Sequence, residues 1–128
     1  MALELQILLC AVALTVIQVV VAVVGSITQV GMPPLMGNRE GLPEFSGWVG
    51  RAHRAHRNML ESLVLFAILV LVAQAAGVHN AMTALGVQLF IWARAAFAVI
   101  YIAGIPYLRT AAWGVALGGM GLIFLQLM

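Results

Sequence analysis

The order of apolar and polar positions divides this chain of 128 residues into four long apolar segments. None of the segments alternates polar and apolar residues with the period of two that a membrane β-barrel requires. An apolar run of roughly 20 residues is long enough to cross the hydrocarbon of a bilayer as a helix. The pattern therefore predicts four transmembrane helices, over residues 3–30, 48–76, 81–103 and 107–127, within a single domain, 1–128.

The polar connections between these segments are mostly short. GMPPLMGNREGLPEFSG, residues 31–47, is dense in Gly and Pro and predicts the one sizeable loop. Gly77, His79 and Asn80 predict a tight turn, as does GIPY at residues 104–107. Because short connections join antiparallel neighbours in helix bundles, we expect an all-α, integral membrane four-helix bundle.

Composition excludes a soluble domain. Hydrophobic residues make up 64% of the chain and charged residues only 8%, with no Lys and no Asp, whereas soluble chains are roughly a quarter charged. The N-terminal segment is predicted to be the first span and not a signal peptide, because it lacks basic residues, carries Glu4 and exceeds the roughly 7–15 apolar residues of a signal core. Its Cys10 is the one cysteine, which rules out an intrachain disulfide.

The arginines indicate how the chain is oriented in the membrane. Five of the six lie in or beside the first and third loops, and the other side, with both termini and the Gly77 turn, has none. For a bacterial inner membrane, the expected location, or an equivalent membrane, the positive-inside rule then predicts that these loops are cytoplasmic and both termini lie outside. Because the charge is concentrated at one helix mouth, it does not form a stripe that would bind nucleic acid. The apolar spans make the lipid bilayer the expected partner. The five arginines on the side of the first and third loops are Arg39, Arg51, Arg54, Arg57 and Arg109.

The segment RAHRAHRNMLES, residues 51–62, places polar side chains on one face of the second span. At about 100° per residue, Arg54, Asn58 and Glu61 share that face, and Arg51 lies on the same side one turn earlier. Arg57 lies four residues before Glu61, a spacing at which the two side chains can pair along the helix. The second span therefore carries a candidate binding surface at its mouth.

Further polar residues lie on the last two spans. Arg94 is in the middle of an apolar stretch, with Tyr101 two turns later on the same side, and Arg109 opens the fourth span. An arginine at membrane depth costs several kcal/mol unless it is paired or reaches water, so we expect these side chains to face a cavity or the bundle interior. Asn58 and Glu61 are the available partners for Arg54, Arg57 or Arg94.

The charges of this region do not balance. The arginines of the second, third and fourth spans face one nearby carboxylate, Glu61. Since unpaired charges are unstable when buried, the imbalance predicts an anion supplied from outside, and the guanidinium group is suited to carboxylates and phosphates. The alternative that the residues leave open is a polar clamp between helices that binds no ligand.

Other sites are less well supported by the pattern. His53 and His56 have the spacing of metal ligands, but each has a neighbouring arginine that repels a divalent cation, so no metal site is predicted. A Ser-His-Asp triad is impossible without Asp. Gly118, Gly119 and Gly121 lie within an apolar span and predict close helix packing.

Two sequence segments resemble a known family. RAHRAHRNMLE opens the second span, and ARAAFAVIYIAGIPYLRTAAW joins the third to the fourth. With four short spans, they resemble the MAPEG family, the membrane-associated proteins in eicosanoid and glutathione metabolism, which includes microsomal glutathione transferases, leukotriene synthase and microsomal prostaglandin E synthase. The likeness covers nearly the whole chain, and the loop string GNREGLPEFSG is similar to the small bacterial branch.

The resemblance implies a homotrimer that binds glutathione, as co-substrate, between subunits near the cytoplasmic face. The implied activity is that of a membrane-bound glutathione transferase or peroxidase acting on a lipophilic small molecule, either an electrophile or a lipid hydroperoxide. Arg109 matches the catalytic arginine that holds the thiol as thiolate. The implied glutathione-binding residues are Arg54, Asn58, Glu61, Arg94 and Tyr101, and Arg51 or Arg57 is the candidate anchor for a glutathione carboxylate that no arginine of the first span can hold.

Two other functions remain as alternatives. The end of the first span, GSITQVGM, has no positive charge, and Phe97 stands where relatives have Tyr or His. Both positions favour a non-catalytic membrane subunit of the same fold that binds an anionic lipid or a partner protein. A small multidrug transporter requires a carboxylate within its first span, and Glu4 lies too close to the end for proton coupling.

Overall fold

The structure, a computed structural model, describes residues 1–128 and contains only helices. Four of them are long and apolar enough to cross a membrane, which confirms the predicted all-α membrane fold. Their ends lie within one residue of the predicted spans. The helices are α1, Leu3–Val30; α2, Met32–Met36; α3, Gly47–Ala76; α4, Ala81–Ala103; and α5, Pro106–Leu127.

The short helix α2 lies where the sequence predicted only loop. Pro33 and Pro34 belong to its first turn, where a residue without an N–H costs nothing because that N–H would have no partner within the helix. Gly31 separates α1 from α2 with a positive φ of 82°. The prolines that indicated a loop therefore also begin a helical turn, and the loop is partly ordered by it.

Local interactions explain the two tight turns. Asn80 caps α4, because its side chain accepts hydrogen bonds from the backbone N–H groups of Met82 and Thr83, both at 2.9 Å. The Thr83 hydroxyl accepts in return from the Asn80 backbone N–H at 2.9 Å, which completes a capping box. Gly77 and Gly104 end α3 and α4 in the left-handed conformation that glycine adopts without steric cost.

The core of the bundle lies between the four long helices, and α1 contributes Ala11 to it while packing against α3 and α4. At its centre the rings of Phe66 and Phe90 stack with 3.8 Å between centroids. This core fixes the relative positions of the helix ends that carry the candidate site. Its fully packed members are Ala11, Met59, Phe66, Val70, Val87, Phe90, Ala93, Ala116, Met120 and Ile123.

The backbones of α4 and α5 approach closely at two glycines. A Cβ atom built on Gly86 would lie 2.6 Å from the carbonyl oxygen of Gly119, and one built on Gly119 would lie 2.6 Å from that of Gly86. The predicted packing role therefore applies to Gly119. Gly118 and Gly121 have open space instead, since a Cβ on either meets nothing within 4 Å.

A polar network joins three helices at the end of the bundle opposite the arginines. The Glu4 carboxylate is buried, and it accepts a hydrogen bond from the Thr83 hydroxyl at 2.7 Å and lies 3.3 Å from His79 Nδ1. Asn80 Nδ2 donates to Gln126 Oε1 at 3.0 Å. A carboxylate that is satisfied in this way can be buried at much lower cost, so Glu4 serves here to hold α1 to α4.

Substitution of Gly86 by Ala is expected to destabilise the bundle, because the added methyl group meets the backbone of α5. The free energy of unfolding should fall by roughly 1–3 kcal/mol, the usual cost of overpacking. Gly118→Ala is the matched control, and it should be neutral or stabilising by up to about 1 kcal/mol through higher helix propensity. Unfolding in a single detergent, followed by circular dichroism, measures both. Equal losses in the two variants would contradict the close approach of α4 and α5.

Candidate functional site

The charged face of α3 is open in the protomer. The side chains of Arg54, Arg57 and Glu61 are all exposed. The pairing that their spacing allows between Arg57 and Glu61 is absent, and the one carboxylate within ion-pair distance of a basic side chain is that of Glu4, beside His79 at the other end of the bundle. Two flexible, exposed side chains gain little by pairing, which explains why it does not form. The positive charge at the mouth of α3 is therefore not neutralised by the protein.

A first cavity, of about 240 Å³, lies where α3, α4 and α5 meet. We call it the Asn58 cavity. The guanidinium carbon of Arg109 lies 4.5 Å from the ring centroid of Tyr101, and the rings of Tyr101 and Phe97 meet edge to face at 5.4 Å. These contacts hold Arg109 at the cavity wall. The lining residues are Asn58, Phe97, Tyr101, Arg109, Thr110 and Trp113.

The Asn58 cavity has the chemistry of an anion site. Its one charged side chain is Arg109, and no carboxylate lines it. Arg109 also lies in the first turn of α5, where the helix dipole favours negative charge. The Tyr101 ring orients the guanidinium group by a cation–π contact. An amide and two hydroxyl groups, from Asn58, Tyr101 and Thr110, add hydrogen-bonding capacity beside the cation.

Arg94 lies behind this cavity and not in its wall. Its side chain is 0% exposed. Nη1 donates to Asn58 Oδ1 at 2.9 Å, Nε donates to Met59 Sδ at 3.4 Å, and Nη2 has no hydrogen-bond partner. The guanidinium carbon lies 4.2 Å from the Phe97 ring centroid. Asn58, which the sequence offered as one of several partners for the arginines, is therefore the partner of Arg94.

A second cleft, of about 340 Å³, lies on the other side of α3, next to the first loop. We call it the Arg54 cleft. His53 Nε2 lies 2.6 Å from the Ser26 hydroxyl of α1, and its ring stacks on Phe45 with 4.6 Å between centroids. His53 therefore has protein partners on both sides. The lining residues are Glu44, Phe45, Gly50, His53, Arg54 and Arg57. The structure contains no group of three His, Cys, Asp or Glu side chains that could hold a metal ion.

Helical geometry explains why the predicted site is divided between two clefts. Relative to Arg54, Asn58 is rotated by about 40° in one direction and Arg57 by about 60° in the other, at about 100° per residue. The first rotation points toward α4 and α5, and the second toward α1 and the loop. Asn58, Tyr101 and Arg109 line the Asn58 cavity, Arg54 and Arg57 line the Arg54 cleft, and Arg51, Glu61 and Arg94 line neither.

Arg51 has a partner that the sequence did not indicate. Its Nε donates to the carbonyl oxygen of Ile102 at 2.9 Å, and its guanidinium group lies over Gly104. The last carbonyls of a helix have no intrahelical partner and carry partial negative charge, so an arginine there is stabilising. Arg51 therefore joins the start of α3 to the end of α4.

Several residues of the two clefts were not among the predicted ones. Trp113 follows Arg109 by four residues, so the helical period alone would have placed it on the same face. Thr110 is adjacent to Arg109 and has no such signal. Glu44 and Phe45 reach the Arg54 cleft through the path of the first loop, which no periodicity describes.

Comparison with known proteins agrees with this architecture. No curated protein and no solved structure matches the chain. The MAPEG family model, however, matches residues 5–128, nearly the whole chain and all four transmembrane helices. The protein is therefore a member of the MAPEG family.

Proposed function

We propose that this protein is a membrane-bound, glutathione-dependent transferase or peroxidase that acts on a small lipophilic electrophile or a lipid hydroperoxide. The observation that carries the proposal is the Asn58 cavity, where Arg109 lies against Tyr101 with no carboxylate to neutralise it. Membership of the MAPEG family, which includes glutathione transferases and peroxidases, supports the same substrate.

Arg109 provides the chemistry that such a reaction needs. A thiol with a pKa near 8.5 is mostly protonated at neutral pH, and a neighbouring guanidinium group favours the thiolate, which is the nucleophile. Lowering the thiol pKa by about two units corresponds to roughly 2.7 kcal/mol of differential stabilisation. The thiolate then bonds to the electrophilic carbon, and the leaving group departs with the displaced electron pair. With a hydroperoxide, the thiolate attacks the terminal oxygen, the O–O bond breaks, and the alkoxide takes up a proton and leaves as the alcohol. A second glutathione then converts the sulfenic acid to disulfide and water.

The other predicted residues are proposed to hold the rest of the tripeptide. Asn58 and Tyr101 offer hydrogen bonds in the cavity, while Arg54 and Arg57 suit the carboxylates and Glu61 suits the amino group. Arg51 remains available through the nitrogens that do not bond to Ile102. Because the Arg54 cleft and the Asn58 cavity lie on different sides of α3 in one protomer, a ligand that uses both sets would lie between subunits.

A homotrimer is proposed for the same reason. Exposing Arg54, Arg57 and Glu61 to lipid is costly, and below them the exposed face of α3 continues with apolar side chains such as Leu65 and Ile68. If α3 helices of neighbouring subunits face one another, the charges lie in a shared polar space at one end. The apolar side chains then pack together at the other end.

The second substrate is proposed to come from the bilayer. An apolar groove of about 490 Å³ runs between α4 and α5, and it reaches Leu108, which precedes Arg109 in the chain. The groove gives an alkyl chain a surface at the depth of the catalytic arginine. In a bacterial inner membrane, the proposed location, the arginine distribution favours the first and third loops in the cytoplasm and both termini outside.

The Arg54 cleft favours a second candidate function, a non-catalytic subunit that binds an anionic lipid. Arg54 and Arg57 have no ion-pair partner there. The exposed ring of Trp48 lies in the first turn of α3, and tryptophan is enriched at the membrane interface. Basic pockets at the cytoplasmic interface bind lipid headgroups.

The purified protein in detergent is expected to bind glutathione saturably, with a thiolate absorbance band near neutral pH. Arg109→Ala should abolish the band, and Arg109→Ala, Arg54→Ala and Glu61→Gln should each weaken binding about tenfold or more, the usual effect of losing a hydrogen bond to a charged group. Isothermal titration and ultraviolet difference spectra measure the two effects. Gln126→Ala, at the opposite end of the bundle, serves as control. No binding by the unaltered protein at millimolar glutathione would favour the lipid-binding subunit.

The native mass of the detergent-extracted protein should be about three times the chain mass of 13.6 kDa. In a Cys10→Ser background, Leu65→Cys on the exposed face of α3 should form disulfide-linked dimers under mild oxidation, because helices facing one another bring identical residues together. Val99→Cys, exposed on α4, is the control and should not cross-link. A monomeric mass with no cross-link in either variant would exclude the trimer.

Labelling of single cysteines from one side of the membrane should show the proposed orientation. In the Cys10→Ser background, Thr110→Cys lies in the Asn58 cavity and His79→Cys at the opposite end of the bundle. A membrane-impermeant maleimide should label Thr110→Cys in inside-out vesicles and His79→Cys in right-side-out vesicles. The reverse pattern would mean that the arginine-rich loops lie outside.

A further inference from the structure

The environment of Arg94 is unusual for a buried cation. Its side chain is 0% exposed, yet no carboxylate lies within ion-pair distance of it. Its hydrogen-bond acceptors are the amide oxygen of Asn58 and the thioether sulfur of Met59, and Nη2 has none. Thioether sulfur is a weak acceptor, and an uncompensated buried charge costs several kcal/mol. A gain in the stability of the fold therefore does not explain why an arginine occupies this position.

Of the three side chains that contact Arg94, those of Asn58, Met59 and Phe97, two also line the Asn58 cavity. Asn58 accepts from Arg94 Nη1 at 2.9 Å, Phe97 lies under the guanidinium group, and both residues line the cavity. The arginine itself does not line it. Arg94 is thus placed to act on a bound molecule through these neighbours and not by direct contact.

The hydrogen bond from Arg94 determines the orientation of the Asn58 carboxamide. A guanidinium group only donates, whereas a carboxamide donates at nitrogen and accepts at oxygen. The orientation of such an amide is set by its hydrogen-bond network. Because Oδ1 of Asn58 accepts from Arg94, Nδ2 is the atom of the carboxamide that remains to bond elsewhere. Nδ2 carries two N–H donors, which lie on the side of the carboxamide away from Arg94.

We propose that Arg94 is a positioning residue for the glutathione site and acts through Asn58. It holds the carboxamide so that Nδ2 donates to the bound anion, and it does not contact the ligand. Without Arg94 the carboxamide can rotate by half a turn and present Oδ1, which repels an anion and competes with it for Arg109. This inference rests on the proposed function, and it replaces the direct ligand contact that the family resemblance implied for Arg94.

Replacement of Arg94 by Met separates positioning from stability. The substitution removes every donor but keeps an unbranched side chain in the core. Glutathione affinity, measured by titration in detergent, should fall about tenfold, as expected for loss of an oriented hydrogen bond to a charged group. The thermal midpoint should stay the same or rise, because a poorly compensated buried charge is removed. Arg94→Lys keeps a charged donor group and should lose less affinity. A lower midpoint with unchanged affinity would assign Arg94 a purely structural role.

A double-mutant cycle tests whether the effect passes through Asn58. In an Asn58→Ala background, Arg94→Met should cause no further loss of glutathione affinity, because the residue that it positions is already gone. In an Arg54→Ala background, where the altered residue lies in the other cleft, the loss should remain about tenfold. Additive losses in the Asn58→Ala background would overturn the proposal and indicate a direct contact or a through-space charge effect.

A measurement without ligand distinguishes failure of this inference from failure of the proposed function. The chain contains three asparagines, Asn38, Asn58 and Asn80, so nitrogen-15-labelled asparagine gives three side-chain amide signals, assigned by Asn58→Ala. Arg94→Met should shift the Asn58 signal and leave the other two in place. An unshifted Asn58 signal overturns the positioning role alone. Absence of glutathione binding by the unaltered protein, in turn, overturns the proposed function and this role together.

Discussion

The structure depends on how guanidinium groups are satisfied at the depth of a membrane. A cation there requires an acceptor, water or an aromatic face, because the hydrocarbon supplies none. Three arginines have such partners within the protomer. Arg51 bonds to a carbonyl group at a helix end, Arg94 contacts an amide and a phenyl ring, and Arg109 contacts a phenol ring. Arg54 and Arg57 find none. The first three arginines therefore contribute to the structure of the helix ends, whereas Arg54 and Arg57 remain available to bind a group from outside the protomer.

The same constraint connects the fold to the proposed chemistry. The close approach of α4 and α5 at Gly86 and Gly119 fixes the two helices whose ends at the Gly104 turn carry Tyr101 and Arg109. The Glu4 network holds the far end of the bundle, so the polar groups of that end are mutually satisfied. At the other end of the bundle, no carboxylate lines the Asn58 cavity to neutralise Arg109. An unneutralised cation at this end would stabilise the thiolate of the proposed reaction.

Much of the candidate site could be predicted from the sequence, though not how its members divide. The period of the helix placed Arg54, Asn58 and Glu61 on one face of α3. Asn58 lines the Asn58 cavity, Arg54 lines the Arg54 cleft, and Glu61 is exposed and lines neither. The same period cannot say where that face meets its neighbours. Rotations of about 40° and 60° from Arg54 are small on a helical wheel. They are nonetheless enough to send Asn58 to the Asn58 cavity and Arg57 to the Arg54 cleft.

The sequence by itself determined the four membrane-spanning helices, their ends and the family, because apolar length, turn residues and local motifs are properties of neighbouring positions. Only the tertiary structure decided that Arg94 is buried behind Asn58, that Arg51 bonds to the end of α4, and that two prolines begin a short helix. These outcomes depend on which side chains from distant parts of the chain meet. A guanidinium group on a long, flexible side chain can reach several acceptors, and packing between helices selects one of them.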